Sequence, residues 1–176
     1  MVDLSARIDT PIGTILIVVG RDGFLRALDW ADYEPRMRRL LRLHYGDRPD
    51  FGPARRAGVI SRAIDRYFAG DLTAIDTVPV RTAGTPFQRR VWRALRAISY
   101  GTTVSYSRLA TRIRSAGAAR AVGTACGANP IGVVVPCHRV IGADGSLIDY
   151  GGGIERKAWL LAHEGAPEAV APYQNR

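Results

Sequence analysis

The sequence predicts an α/β fold in two parts: a small N-terminal α/β domain, then a mostly helical domain. Three observations carry this. Apolar, β-branched runs bounded by turn residues fill much of the first third of the chain. Apolar residues recur at helical spacing through most of the second half. Between them Thr82-Ala83-Gly84-Thr85-Pro86 breaks the pattern, which puts the domains at 1–81 and 82–176.

In chain order, Thr10-Pro11-Ile12-Gly13 is a turn and Thr14 to Val19 a strand. Arg21-Asp22-Gly23 turns the chain back into a return strand, Phe24 to Trp30. Pro35 opens a short helix that runs through Leu40 and Leu41. Gly46 to Pro53, rich in glycine and proline, is a loop. Val59, Ile60, Ala63, Ile64, Tyr67 and Phe68 then repeat at helical spacing until Gly70 ends the helix. Asp76 to Val80 reads as one more strand.

The second part opens on an apolar helical stripe, Phe87, Val91, Trp92, Leu95 and Ile98, with Arg89, Arg90, Arg93 and Arg96 mostly on the other face. Tyr100-Gly101 stops it. Ser105 can cap a second helix carrying Tyr106, Leu109, Ala110 and Ile113. Ser115-Ala116-Gly117 leads into a third helix, Ala118 to about Gly127, so the arrangement is a helix-turn-helix. That third helix is nearly all small residues, among them Ala119, Ala121 and Gly123. Its backbone can come very close to what it faces, whether another helix or a ligand. Ile131 to Val135 reads as a buried strand that ends in Pro136-Cys137-His138-Arg139-Val140.

Composition narrows the function classes. At 176 residues, 47% hydrophobic and 23% charged, the chain can bury one good core or two small ones, and fibrous and wholly disordered classes are excluded. No apolar run approaches the roughly 20 residues of a membrane span, and the start lacks the pattern of a secretory signal. Two cysteines, Cys126 and Cys137, are too few for a disulfide framework and point to a reducing compartment, the cytoplasm. The net charge is +9 and Lys157 is the one lysine among 25 cations. Such an excess suits a polyanionic partner, nucleic acid before a membrane, unless it reflects a codon bias for arginine alone.

A cysteine followed by histidine, where proline breaks an apolar run, is a candidate nucleophile. Neighbours on a strand point to opposite faces, so Cys137 and His138 need either a sharp turn or a bridging water to cooperate. A buried, inert cysteine is the bland alternative.

The motif Pro136-Cys137-His138-Arg139-Val140, with Gly127-Ala128-Asn129-Pro130 upstream, resembles the active site of the O6-alkylguanine-DNA alkyltransferases. The likeness extends to Thr85-Pro86-Phe87-Gln88, Val104-Ser105-Tyr106, Ala118 through Gly123, and Leu160-Leu161-Ala162-His163-Glu164-Gly165. It covers the second half and, loosely, Thr10 to Gly13 and Tyr67 to Gly70 of the first. The resemblance implies a ribonuclease-H-like N-terminal domain and a winged helix-turn-helix C-terminal one. It implies Cys137 as the acceptor of the alkyl group, His138 as its base through a water, and Glu164 as the residue that orients the histidine. Asn129 would tie the recognition-helix turn to the active-site segment, and Tyr106 would assist departure of the guanine. Arg120 would hold the place of the extruded nucleotide, with Ser105, Ala119, Ala121 and Gly123 against the DNA. Val140, Ile148, Tyr150 and Gly151 would line the base and alkyl pocket. The implied partner is double-stranded DNA carrying O6-alkylguanine, with O4-alkylthymine left open. The protein would act as a monomer, with cooperativity along DNA left open, and no cofactor or metal would be needed. The zinc site of some relatives cannot be built before Cys126, where His44 stands alone.

Other residues draw plainer readings. Cys126 is expected to pack, Arg139 to be structural, and His163 to complement a helix dipole. Ile148 and Asp149 depart from the family pattern. The first should narrow the alkyl pocket and favour methyl over benzyl lesions, and the second adds negative charge where a polyanion docks. The tail from Ala166 to Arg176 is assigned no role. Two other classes compete. A non-catalytic lesion reader on the same fold would lack the cysteine, which is present. A cysteine hydrolase using Cys137, His138 and Glu164 would show a burst of ester turnover and would leave Arg120 and the helix-turn-helix without a purpose.

Overall fold

The structure, a computed structural model, describes residues 6–46 and 57–166. The chain divides into two compact units, Met1–Gly84 with Pro130–Val134, and Thr85–Asn129 with Val135–Arg176. The expected Gly46–Pro53 loop and the C-terminal tail lie, beyond Gly46 and Ala166, outside the described residues.

The first unit is built on an antiparallel meander, β1 (Ala6–Thr10), β2 (Gly13–Val19) and β3 (Leu25–Trp30). Strand β1 is not among the predicted elements. Only Ile8 of its five residues is buried, so the run lacks the apolar content that marks β2 and β3. The Thr10 hydroxyl donates to the Gly13 carbonyl at 2.6 Å and closes the first hairpin. Helix α1 (Glu34–Tyr45) lays Met37 and Leu41 on Leu16, Val18 and Ala27. Helix α2 (Ala57–Phe68) packs on β1 and β2, burying Ile60, Ala63, Ile64 and Tyr67, while Val59 faces solvent.

Two expected strands are absent. Leu72–Thr77 forms a 3-10 helix, and of the Asp76–Val80 run only Val80 bridges to Leu25. Pro79 has no amide to donate to a ladder, and the Leu25 amide bonds its carbonyl instead at 2.8 Å. The Ile131–Val135 run is buried, but it is a turn. Val133 takes φ 63°, the Val134 amide bonds back to the Gly132 carbonyl at 2.7 Å, and only Ile131 bridges to Leu28. Its apolar content reflects burial, which periodicity cannot distinguish from a core strand.

The second unit starts at Thr85, which caps helix α3 (Pro86–Arg96) with a capping box: its hydroxyl accepts from the Gln88 amide at 3.2 Å, and the Gln88 side chain accepts from the Thr85 amide at 2.9 Å. Val91, Trp92 and Leu95 are buried while Arg89, Arg90, Arg93 and Arg96 are exposed. Strand β4 (Val104–Ser105) leads into α4 (Tyr106–Arg112), whose N-cap is Ser105, and then α5 (Ala119–Gly127). Helices α4 and α5 form the expected helix-turn-helix, and α5 is fixed to α3 by the Trp92 indole, which donates to the Ala125 carbonyl at 2.8 Å. Strand β5 (Val140–Ile141) pairs in parallel with β4, and α6 (Ile154–His163) closes the unit. Twelve of the cations and five of the acids fall in this unit, so seven of the nine net charges are here.

Candidate active site

Proline breaks the chain at 136, and the next three residues, Cys137–Arg139, form one 3-10 turn. The turn replaces the extended strand end expected at the Cys-His pair. All three side chains are buried. The β4–β5 pairing matches Val104 with Val140, so it brings the end of this turn beside the start of α4, where Tyr106 stands.

Glu164 organises the interior of the site. Its carboxylate accepts from His138 Nε2 at 3.0 Å and from Arg139 Nε and Nη2, both at 2.7 Å. Arg139 also donates to the Ile98 carbonyl and lies over the Tyr100 ring at 4.4 Å. Arg139 is thus structural, as expected, and clamps the carboxylate that the histidine uses. Burial alone would push Glu164 up, but His138 and the Arg139 guanidinium together hold its carboxyl well below the usual carboxylate range. Burial pushes His138 below its ordinary value, against the pull of Glu164. The imidazole is therefore neutral. Since Nε2 faces an anion it carries the hydrogen, so Nδ1 presents a lone pair. Nδ1 is buried and makes no hydrogen bond among the described residues. The backbone at Glu164 is fitted closely too: Gly101 sits at φ 67°, and a Cβ there would lie 3.0 Å from the Glu164 carbonyl.

Asn129, just past the end of α5, donates from Nδ2 to the Val135 carbonyl at 2.8 Å and to Cys137 Sγ at 3.3 Å. The amide holds the sulfur and the segment before it with one group. Neither cysteine is in a disulfide.

Cys137 opens into a pocket of about 340 Å³ lined by Tyr106, Arg120, Cys126, Ile148, Asp149 and Tyr150, with Ala119, Gly123 and Gly151 among the remainder. Of the residues expected at the base or the DNA, Tyr106, Ala119, Arg120, Gly123, Ile148, Tyr150 and Gly151 meet at this pocket. Three do not line it: Val140 is buried in β5, Ser105 caps α4, and Ala121 is exposed on α5. Burial pushes the Tyr106 phenol up, so it stays protonated, and it donates to the Ile148 carbonyl at 3.3 Å. His163 stacks on Trp159 at 4.8 Å, outside the site.

Two residues of the site escape sequence reasoning. Cys126, expected only to pack, lines the pocket, with its thiol pushed up by burial. Lys157 is fully buried, and its ammonium donates to the carbonyls of Val140 (2.7 Å), Ile148 (2.6 Å) and Asp149 (3.3 Å). It ties the loop before α6 to the strand after the cysteine. A signal for it exists: Lys157 shares a helix face with Leu160 and Leu161, at spacings of three and four.

A helix-turn-helix joined to a pocketed cysteine, with a neutral histidine held by a buried carboxylate, defines a protein that performs nucleophilic chemistry at its own thiol. Residues 86–166 match the family model described as 6-O-methylguanine DNA methyltransferase, DNA binding domain. A relative from Salmonella typhimurium, the methylated-DNA–protein-cysteine methyltransferase, is 50% identical over 163 residues, covering 92% of this chain and 95% of its own. The crystal structure of Mycobacterium tuberculosis O6-methylguanine methyltransferase superposes with a TM-score of 0.74 at 42% identity, over 90% of each chain. Mycobacterium tuberculosis OGT in complex with DNA also scores 0.74 at 42% identity, over 93% of this chain and 95% of that one. The chain belongs to the methylated-DNA–protein-cysteine methyltransferase family.

Proposed function

We infer that the protein repairs duplex DNA by moving the alkyl group of O6-alkylguanine onto Cys137. The observation that carries this is Cys137 in the wall of the pocket, next to a histidine whose free ring nitrogen is a base and whose other nitrogen is held by Glu164. The target oxygen is out of reach inside a duplex, so the nucleotide is extruded into the pocket, at a cost of a few kcal/mol. Arg120, exposed at the start of α5, fills the vacated stack. A free thiol, pKa about 8.5, is mostly protonated at neutral pH. His138 Nδ1 takes its proton, through a water, while Asn129 Nδ2 holds the sulfur in line. The S–C bond forms as the O6–C bond breaks, the departing base takes a proton at N1 from water, and His138 returns the thiol's proton to water, so the proton lost by sulfur balances the one gained by the base. The Tyr106 phenol donates to the leaving base. Because the thioether has no hydrolytic exit, each molecule reacts once.

The unit that holds the pocket also holds most of the net positive charge, which supports docking on phosphates with little sequence preference. Among the described residues no helix is long and apolar enough to cross a membrane. A nucleophilic thiol outside any disulfide fits a cytoplasmic setting.

Intact-protein mass tests the reading. Mixed with a duplex bearing one O6-methylguanine, the wild type should gain the mass of one methylene and stop there, and Cys137→Ser should gain nothing. Tight binding to the lesion with no mass gain would make the protein a reader of the damage.

A further inference from the structure

Asp149 is the one acid among the described residues that line the pocket. Its backbone stands at φ 31°, in the left-handed region that non-glycine residues seldom occupy. Lys157 holds that conformation by donating to the carbonyls of Ile148 and Asp149. The Asp149 carboxylate makes no hydrogen bond or ion pair within the described residues, although Tyr106 and Lys157 both lie within range of its charge. Asp149 is a solvent-exposed residue of the pocket lining, with a strained backbone fixed by a buried lysine and a carboxylate bonded to no protein group, and such a combination is one that substrate recognition explains.

The edge of the extruded base supplies the partner. O6-alkylation removes the N1 hydrogen of guanine, so along that edge the 2-amino group is the donor that remains. O4-alkylthymine offers only acceptors there, N3 and O2. A carboxylate accepts from the amine and repels the lone pairs of the pyrimidine.

We propose that Asp149 reads the 2-amino group of the extruded base and sets a preference for O6-alkylguanine over O4-alkylthymine. This rests on the alkyl-transfer function proposed for the same pocket. Asp149 acts on selection of the base and leaves the chemistry to Cys137.

The test uses the full-length protein and three duplexes, carrying O6-methylguanine, O6-methylhypoxanthine (the same base without the 2-amino group) or O4-methylthymine. Single-turnover transfer is followed for wild type, Asp149→Asn and Asp149→Ala. In the wild type, deleting the amine should slow transfer by roughly tenfold to a hundredfold, the worth of a charged hydrogen bond. In Asp149→Ala the same deletion should matter about threefold or less, and O4-methylthymine should react faster than with wild type. Asp149→Asn, which keeps a neutral acceptor, should fall between. An equal penalty for the missing amine in wild type and Asp149→Ala overturns the proposal. So does a uniform acceleration of all three substrates that fades with salt, because that is simple repulsion of DNA. No transfer from any duplex would sink the alkyl-transfer reading itself, and this proposal with it.

Discussion

Glu164→Gln keeps the shape of the side chain and removes the charge of a carboxylate whose two oxygens are both in use. Arg139 Nε donates to one, and Arg139 Nη2 and His138 Nε2 donate to the other. Whichever way a glutamine amide is turned, its NH2 meets an N–H donor. The Arg139 guanidinium is left with the Ile98 carbonyl and the Tyr100 face, but no anion. Removing one partner of a buried ion pair costs about 3–5 kcal/mol, and this pair is almost fully enclosed. Urea unfolding should show that loss as a lower midpoint at unchanged slope. Transfer should slow by roughly a hundredfold, the lower end of what a positioned base contributes. The double variant Arg139→Met with Glu164→Gln removes the orphaned cation and should regain part of the stability, though not the rate. The acid limb should change as well. Unfolded glutamate takes up its proton near 4.5, and folded Glu164 only below that. Its contribution is therefore present above about pH 4.5 and lost as the pH falls, and Glu164→Gln should flatten that loss. A variant within about 1 kcal/mol of wild type, the low end of single-mutation effects, would refute the argument. So would a double variant no more stable than Glu164→Gln.

Lys157 gives a prediction at the other end of the pH scale. Burial pulls its pKa down to about 8 from 10.5, so between those values the unfolded chain holds more protons, and the lysine contributes increasingly to stability as the pH rises. The stability difference between wild type and Lys157→Met should move in favour of wild type from pH 8 to 10.5. A difference that moves in favour of Lys157→Met in urea titrations across that range would contradict the burial argument. Ile148 lines the pocket, and wild type should transfer methyl faster than benzyl, with Ile148→Gly closing most of that gap. Equal rates for the two lesions in wild type would remove Ile148 as the cause. Arg120→Ala should slow transfer from duplex DNA far more than from the free base O6-benzylguanine, which needs no extrusion. Equal losses would mean that Arg120 serves the chemistry.

Much of the second unit could be read from residue spacing, because its helices carry apolar faces with period 3.6 and a side-chain cap at Ser105. The Cys-His-Arg turn, Asn129 and Glu164 were legible as a set only through family resemblance, since 26 residues of chain separate His138 from Glu164 and periodicity does not span such a gap. Local pattern failed where long-range contact decides. Ile131–Val135 is apolar because it is buried, and its backbone bonds go to Leu28, within the run itself and, at the Val135 carbonyl, to Asn129 and Cys137. Strand β1 is too polar to advertise itself, and pairing with β2 creates it. Lys157 runs against the rule that lysine stays in water. The three carbonyls that accept from its ammonium account for it, and none of the three is visible before the chain folds.

Pro130–Val134 has a consequence for how this protein can be divided. Helix α5 and Cys137 are joined by a length of chain that groups with the other unit, where Ile131 and Val133 are fully buried. A gene cut between residues 84 and 85 would therefore yield a C-terminal fragment with a bare apolar loop strung between α5 and Cys137. Its partner fragment would lack the segment that bonds to Leu28. Recombination that swaps whole domains cannot exchange these units cleanly, because the seam between them crosses the chain three times.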